Sequence, residues 1–335
     1  MERKVLTKKL LAGLIVSVII TGGVTGTLYA NTDDDILQGT WKMPNESDIP
    51  DDARGDMIRY GKELIVNTPK YLGPGSPKPV LNSKLSCASC HLDAGTKPNA
   101  IPLYTAVHEY APPGKYNARE GINLTVEGRI DTCFERSLNG KALPQDSYET
   151  QSMKAYMEWL ATGITPGVAW QDVKGQETPV LPLLDRAADP AKGKVIFSDK
   201  CAKCHGANGQ GEWDESKGRY KYPALWGDYS FNTGAGMHRN ITATRFVKAN
   251  MPYGDPSLTL EEAYDVVAYL NSQQRPQKAN LELDWSGLDP NGQPNIKKKA
   301  VDAAYGPYYP EGMFSPEQHK YGPWQPIMDA VKAQQ

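Results

Sequence analysis

The sequence predicts a mostly α-helical protein made of two similar small domains and an irregular C-terminal segment. A five-residue pattern, Cys-x-x-Cys-His, occurs at 87–91 and again at 201–205. Each copy lies between stretches whose apolar residues recur at helical spacing. Beyond about residue 275 no clear periodicity is found until residues 327–331. The expected architecture is therefore a duplicated helical unit followed by a tail.

The composition is that of a folded globular chain, with 335 residues of which 39% are hydrophobic and 23% charged. This excludes collagen-like, coiled-coil and multispan membrane proteins. The formal net charge of −2 offers no basic surface of the kind that nucleic acid requires, so no nucleic-acid partner is expected. With 31 Gly, 26 Pro and only 5 Phe, the chain is rich in turns, and something other than side chains is expected to fill part of its interior.

Residues 1–30 have the pattern of a signal peptide. A net positive start precedes an apolar run of about eleven residues at 10–20, shorter than the roughly 20 needed to span a bilayer. Ala30 is a small residue suited to cleavage before Asn31. The prediction is an exported, periplasmic protein without stable membrane insertion, and an uncleaved anchor is the alternative.

Four of the five cysteines belong to the two repeated patterns. Cys-x-x-Cys-His is the attachment motif of c-type haem, because two thiols add to the haem vinyl groups and the next His can coordinate iron. A thioredoxin-like redox pair or a split zinc site is the alternative. We predict two covalently bound haem c groups, one on Cys87, Cys90 and His91 and one on Cys201, Cys204 and His205.

The second motif belongs to a predicted domain at 190–275. A short amphipathic helix at 190–197 precedes it, and a longer helix at 260–270 closes the unit. Thr259 and Glu262 have the spacing of a helix N-cap and its first-turn partner. A helix, a haem motif, a loop and a closing helix together resemble a class I cytochrome c domain.

The same plan is expected at 31–164, with helices near 51–64 and 153–160. The proline-containing segment 165–189 is interpreted as a linker. The aromatic residues of the tail, 276–335, suggest that it wraps over both domains, with disorder as the alternative. Its Lys297-Lys298-Lys299 run is expected to be solvated.

The sixth ligand of each iron distinguishes electron transfer from chemistry. In the second domain Met251 lies about 46 residues after His205 and shortly before the closing helix. A thioether in that place raises the potential and suits an electron-transfer haem. Met237 and His238 are competing ligands, and Met251 as a loop filler is the further alternative.

The first domain has no methionine between His91 and its closing helix, but it has the fifth cysteine, Cys133. A helix through Cys133 places on one face Arg129, Cys133, Arg136 and Ser137, and on the adjacent face Ile130, Phe134 and Leu138. Nearby cations favour the thiolate, which both iron ligation and nucleophilic sulfur chemistry need. An intermolecular disulfide, an inert cysteine and a purely electron-transferring His/Cys haem are the alternatives.

These residues carry a family resemblance that extends over about 50–275. The segments concerned are the two Cys-x-x-Cys-His motifs, Tyr116-Asn-Ala-Arg119, Arg129, Cys133-Phe-Glu-Arg-Ser-Leu-Asn-Gly and Asn250-Met251-Pro252. They resemble the dihaem thiosulfate dehydrogenases, the tetrathionate-forming cytochromes c. The resemblance implies that two thiosulfate ions join to tetrathionate and release two electrons, in a reaction that is reversible.

The resemblance also implies roles for individual residues. Cys133 would be the distal ligand of the active-site haem and would take part in catalysis. Arg119, Arg129 and Ser137 would line the substrate pocket, whereas Arg136 is included only on the helical-face argument. Electrons would pass through the second haem to a small periplasmic electron-transfer protein.

One position departs from the family pattern. Some relatives have a lysine before the distal methionine and exchange ligands on reduction, but this chain has Asn250. A neutral amide is not expected to replace Met251 on iron, so stable His205/Met251 ligation is predicted. Other functions remain open: a non-enzymatic dihaem electron carrier, a thiosulfate-loading cytochrome of a sulfur-oxidising complex, and a dihaem peroxidase.

Overall fold

The computed structural model describes residues 33–334, so the predicted signal peptide at 1–30 lies outside the described residues. The described chain is mostly α-helical, as predicted. In this part of the chain the strands pair only as two short antiparallel hairpins. Among residues 33–334, no helix has both the length and the apolar character needed to span a bilayer.

The described part of the first half, from residue 33 onward, contains seven α-helices, three short 3-10 helices and one hairpin. The helices are α1 Asp33–Leu37, α2 Ala53–Val66, α3 Thr68–Leu72, α4 Leu92–Gly95, α5 Ala106–Glu109, α6 Val126–Arg136 and α7 Tyr148–Ala161. The hairpin pairs β1 Lys115–Asn117 with β2 Ile122–Leu124. One apolar core joins α2, α6 and α7, and its fully buried members include Leu64, Phe134 and Leu160.

The second half repeats this plan on a smaller scale. The helices are α8 Pro190–Ile196, α9 Ala202–His205, α10 Asn240–Asn250 and α11 Leu260–Ser272, and the hairpin pairs β3 Glu212–Asp214 with β4 Arg219–Tyr222. The predicted cap of α11 is confirmed, because Thr259 Oγ1 accepts from the Glu262 amide at 3.1 Å and the Glu262 carboxylate accepts from the Thr259 amide at 2.8 Å. These reciprocal bonds satisfy two donors that the helix leaves free.

A close crossing of the first and last helices occurs in both halves. A Cβ added to Gly61 on α2 would lie 2.0 Å from the carbonyl oxygen of Ser152 on α7. A Cβ added to Gly193 on α8 would likewise lie 1.9 Å from the carbonyl oxygen of Asp265 on α11. Because any side chain would force the helices apart, glycine is required at both crossings. The two halves therefore share one packing geometry around their Cys-x-x-Cys-His motifs.

The C-terminal segment lies against both halves and is more regular than expected. It contains two helices, α12 Pro316–Tyr321 and α13 Gln325–Ala333. Only α13 coincides with a periodicity seen in the sequence. Trp324 is fully buried and packs on Tyr264 of α11, with ring centroids 5.5 Å apart. On the other side, the Trp285 amide donates to the Arg119 carbonyl at 2.9 Å, which ties the tail to the first half.

Candidate active site

The first Cys-x-x-Cys-His motif lies on a short turn that follows α3. Ser86 and Ser89 cap this turn through reciprocal hydrogen bonds. The Cys87 amide donates to Thr68 Oγ1 at 3.0 Å, which fixes the turn against the start of α3. The His91 Nδ1–H donates to the Ile101 carbonyl, so the Nε2 edge of the ring remains available. This arrangement is usual for a metal-binding histidine, because the second nitrogen holds the ring in place.

The second motif shows the same arrangement. His205 Nδ1–H donates to the Pro223 carbonyl at 2.8 Å. Cys201 ends a single wide helical turn that continues α8, and Cys204 lies within α9. The donor sets at both motifs, two thiols and an oriented imidazole, match the chemistry of haem c attachment. Both sites therefore fit the covalent cofactor predicted from the sequence.

Cys133 lies on α6 and faces the first motif. Its helix is anchored by the buried apolar side chains predicted to lie on the adjacent face, which are Ile130, Phe134 and Leu138. His91 lies close enough to Cys133 for its charge to act on the sulfur. Burial raises the pKa of Cys133, but Arg129, His91 and Arg119 together outweigh it and lower the pKa to about 7. His91 and Cys133 remain the predicted iron ligands of this half.

Three residues are candidates for the predicted sixth iron ligand in the second half: Met251, His238 and Met237. Met251 follows the last residue of α10, is half-buried, and its amide donates to Val247 at 2.8 Å. The competing His238 is buried, and its Nδ1–H donates to the Thr233 carbonyl at 3.0 Å. Met237 lies on the same short turn as His238, and its carbonyl accepts from the Asn271 amide group. Met251 remains the predicted ligand.

A cavity of about 640 Å³ lies beside α6. Its walls come from β1, from α6, from the segment before α10 and from the tail. The charged side chains that line it are all cationic in the described part of the chain: Lys115, Arg119, Arg129, Arg136, Arg239 and Lys298. Tyr116, Ser137 and Trp285 are among the uncharged lining residues. A cavity of this size and charge suits a small anion with more than one negative charge.

Arg129 and Arg119 are the two guanidinium groups whose charge acts on Cys133. The Arg129 guanidinium donates to the neutral Thr132 Oγ1 at 2.7 Å. Arg119 donates to the Gly234 carbonyl at 3.3 Å. Burial and the neighbouring Arg136 lower the pKa of Arg119 to about 10. The repulsion between the Arg119 and Arg136 guanidinium groups would be relieved by a bound anion.

Arg136 differs from the sequence-based expectation. Its guanidinium donates to both carboxylate oxygens of Asp284 at 2.7 Å and to Glu120 Oε1 at 2.8 Å. The charge of Arg136 is therefore already balanced, and the cation paired with Arg129 beside the thiol is Arg119. Asp284 lies 148 residues away in sequence, so no local pattern indicates this ion pair.

Sequence reasoning missed several residues of the cavity. Arg239, Trp285 and Lys298 were not among the predicted site residues, although the aromatic residues of the tail had suggested contact with the domains. The expectation that the lysine run is solvated is wrong for Lys299, which is only 5% exposed. Its ammonium lies 4.7 Å from the Tyr305 ring centroid and 5.1 Å from that of Trp285. Lys299 thus packs against Trp285, which lines the cavity.

The two halves touch through the loop around Met251 and the loop that follows His91. The Asn250 side-chain amide donates to the Asn99 carbonyl at 3.0 Å. Tyr253 donates to Asp93 Oδ1 at 2.7 Å, and Asp93 is two residues after His91. The segment around Met251 is therefore packed directly on the loop that follows the first motif.

The chain was compared with known proteins. The family profile "Cytochrome c" matches residues 190–274. A thiosulfate dehydrogenase of Psychrobacter arcticus is 41% identical over 256 residues, which are 76% of this chain and 72% of that protein. A thiosulfate dehydrogenase of Allochromatium vinosum is 41% identical over 239 residues, which are 70% of this chain and 84% of that protein.

A solved structure gives a consistent result. The thiosulfate dehydrogenase (TsdBA) of Marichromatium purpuratum, in its as-isolated form, superposes with a TM-score of 0.66 at 30% sequence identity. The match covers 81% of this chain but 55% of that one, so this chain spans about half the length of that neighbour. The mostly α-helical, cytochrome-like fold predicted from the sequence is thereby confirmed.

Proposed function

This chain belongs to the thiosulfate dehydrogenase family, and we propose that it joins two thiosulfate ions into one tetrathionate in the cavity beside Cys133. It is an oxidoreductase that uses haem c. The observation that carries the proposal is the position of Cys133, which lies near His91 and on the helix whose Arg129 and Thr132 line the cavity. In the described part of the chain, all the charged side chains that line this cavity are cationic. A plain electron carrier needs neither feature.

The charge balance of the reaction explains the cations. Two thiosulfate dianions form one tetrathionate dianion and two electrons, and a new bond joins the two outer sulfur atoms. Four negative charges must approach one another before any electron leaves, which is strongly unfavourable in a partly dry cavity. Arg119 and Arg129 offset this repulsion, and the planar guanidinium groups match the geometry of sulfonate oxygens.

Cys133 would act as the sulfur nucleophile. Its thiolate bonds to the outer sulfur of the first thiosulfate, and two electrons leave, which gives a cysteine S-thiosulfonate with one negative charge. The second thiosulfate attacks the same outer sulfur, forms the S–S bond of tetrathionate, and releases the Cys133 thiolate. This second step is thiol–disulfide exchange with an inorganic partner.

The neighbouring side chains have separate tasks in this scheme. Arg129 and the Ser137 hydroxyl would hold the sulfonate group of the thiosulfate nearest to Cys133. Arg119 would offset part of the negative charge of that sulfonate. It would also keep the Cys133 sulfur in its thiolate form. Arg136 would act as a positioning residue, since its own charge is bound by Asp284.

The residues of both motifs would hold the electron acceptors. Cys87 and Cys90 would hold one haem, with His91 and Cys133 as its predicted ligands. Cys201 and Cys204 would hold a second one, with His205 and Met251 as its predicted ligands. When bound, the two haem groups accept one electron each, which matches the two electrons released.

The packing of the two halves supports electron transfer between the two predicted haem sites. Tyr253 and Asp93 hold the loop of Met251 on the loop of the first motif. After export of the chain, a small periplasmic electron-transfer protein would accept the electrons that the reaction releases. The same residues serve tetrathionate reduction when electrons flow inward.

A direct assay tests the proposal. The purified holoprotein is incubated with thiosulfate and ferricyanide, and tetrathionate is quantified against ferricyanide consumed. The expected ratio is one tetrathionate for every two ferricyanide ions reduced. A second reaction with tetrathionate and a reduced dye tests the reverse direction. A holoprotein that yields no tetrathionate and consumes none would exclude the proposed function and favour an electron carrier.

A further inference from the structure

Arg239 is a cavity residue that belongs to neither Cys-x-x-Cys-His motif nor to α6. It precedes the first residue of α10 in the second half of the chain. The same cavity is also lined by Arg129 and Ser137 of the first half and by Trp285 of the tail. The cavity therefore has cations on surfaces supplied by both halves.

Most of the other cations in the cavity already have a carboxylate partner. Arg136 is bound by Asp284 and Glu120, Lys115 pairs with Glu109 at 2.5 Å, Lys298 pairs with Asp289 at 2.5 Å, and Arg119 lies 3.4 Å from Glu120. Of the cationic side chains that line the cavity, Arg129 and Arg239 are the two that form no ion pair with a carboxylate within residues 33–334.

The guanidinium of Arg239 also has unused hydrogen-bonding capacity. Its Nε is buried and lacks a hydrogen-bond partner in the described part of the chain. A Cβ added to Gly236 would lie 3.8 Å from Arg239 Nη2 and would meet no other atom within 4 Å. The space beside this guanidinium is therefore open. A buried donor left without a partner is costly, which a bound oxyanion would correct.

We propose that Arg239 forms a second anion subsite, which binds the sulfonate group farther from Cys133. This inference rests on the proposed function, because the coupling of two thiosulfate ions requires a place for the second one. Tetrathionate likewise carries a sulfonate at each end. Arg129 then holds one end and Arg239 holds the other, so that the two outer sulfur atoms meet beside Cys133.

The test compares Arg239→Gln and Arg239→Lys with the wild-type holoprotein. Lys192→Gln is the matched control, because it removes one positive charge from an exposed position of the same half, outside the cavity. Tetrathionate binding to the oxidised protein is measured by titration calorimetry, and thiosulfate oxidation by steady-state kinetics. For Arg239→Gln we expect a roughly ten- to hundredfold rise in the tetrathionate Kd and a similar rise in half-saturating thiosulfate.

The outcomes separate the subsite from the reaction. Partial recovery in Arg239→Lys, wild-type behaviour of Lys192→Gln, and unchanged haem spectra in all three would support the subsite. If the wild type forms tetrathionate but Arg239→Gln binds tetrathionate equally well and saturates with thiosulfate at the same concentration, the subsite is wrong and the proposed function stands. If the wild type forms no tetrathionate, the proposed function fails, and the subsite fails with it.

Discussion

Arg136 on α6 and Asp284 in the C-terminal tail form a two-pronged ion pair, with both nitrogen–oxygen distances at 2.7 Å. Both side chains are almost fully buried, at 2% and 4% exposure. Tyr305 donates a further hydrogen bond to Asp284 at 2.6 Å. Because Arg136 lies one helical turn after Cys133, this pair fixes the tail to the helix that carries Cys133.

Removal of Asp284 should destabilise the protein. Asp284→Asn leaves Arg136 buried with only Glu120 as its carboxylate partner, so we expect the free energy of unfolding to fall by about 3 kcal/mol at neutral pH. Urea denaturation of the holoprotein measures this change. Glu46→Gln, which breaks an exposed ion pair with Lys62, should cost less than about 1 kcal/mol. Equal effects of the two substitutions would contradict the structural role of Asp284.

The same pair gives a pH dependence with a defined sign. Burial alone would raise the pKa of Asp284, but hydrogen bonds from Arg136 and Tyr305 lower it. The contribution of Asp284 to stability is therefore fully present above its unfolded pKa of about 3.9, and it is lost as pH falls through the lowered folded-state value. The stability difference between wild type and Asp284→Asn should shrink on acidification through this range. A constant difference would show that the Asp284 charge is unimportant.

Trp285 should control substrate affinity through Arg119. The guanidinium carbon of Arg119 lies 5.9 Å from the Trp285 ring centroid, and the two backbones are hydrogen-bonded. Trp285→Ala removes the ring, which should raise the KM for thiosulfate roughly two- to thirtyfold. Trp285→Phe keeps an aromatic face and should recover part of the affinity. A fall in kcat with unchanged KM would contradict this positioning role.

Arg129 should contribute directly to anion binding. In Arg129→Ala we expect half-saturating thiosulfate to rise roughly ten- to hundredfold, because a charged hydrogen-bond donor beside the reacting sulfur is lost. Arg54→Ala is the control, since Arg54 is exposed and pairs with Glu158 away from the cavity. Unaltered kinetics in Arg129→Ala would exclude an anion clamp at this position.

The distal loop of the second half should keep its ligand on reduction. Asn250 is 2% exposed, and its side-chain amide donates to the carbonyls of Asn99 and Phe246, both at 3.0 Å. The Asn250 amide is therefore not available to replace Met251 as an iron ligand. Magnetic circular dichroism should show the thioether ligand in both oxidation states and lose it in Met251→Ala. Replacement of the thioether on reduction of the wild type would contradict this prediction.

Local patterns predicted much of the architecture. The cap formed by Thr259 and Glu262, the helix through Cys133 and the haem-attachment motifs depend on residues close in sequence, where spacing determines which groups can meet. Helix limits differ from the predicted ones: α2 runs from Ala53 to Val66 instead of 51–64, and α7 begins at Tyr148 instead of 153. Helix ends depend on capping and fraying, which periodicity describes less well.

Contacts between distant segments could not be predicted in this way. The burial of Lys299 depends on aromatic rings brought together by the folded tail. Arg239 enters the cavity because the second half packs on the first, and its sequence neighbourhood shows no sign of this. Arg136 could be assigned to the correct face of α6, but its partner Asp284 belongs to a segment without sequence periodicity.

Cys133 should be needed for turnover rather than for haem attachment. In Cys133→Gly both Cys-x-x-Cys-His motifs are intact, so the attached haem measured by mass should be unchanged while turnover falls roughly a thousandfold or more. Cys133→Met separates two roles, because a thioether can bind iron but cannot form the sulfur adduct. It should therefore remain six-coordinate and be inactive. Substantial turnover in Cys133→Met would exclude the covalent step.

Electron paramagnetic resonance of the oxidised holoprotein tests the arrangement of Cys133 and His91 most directly. The account predicts a low-spin ferric signal of the histidine–thiolate type in the wild type, together with a separate signal from the second haem. The first signal should disappear in Cys133→Gly while the second stays unchanged. A wild-type spectrum with only nitrogen or thioether ligands opposite histidine would contradict the central role of Cys133.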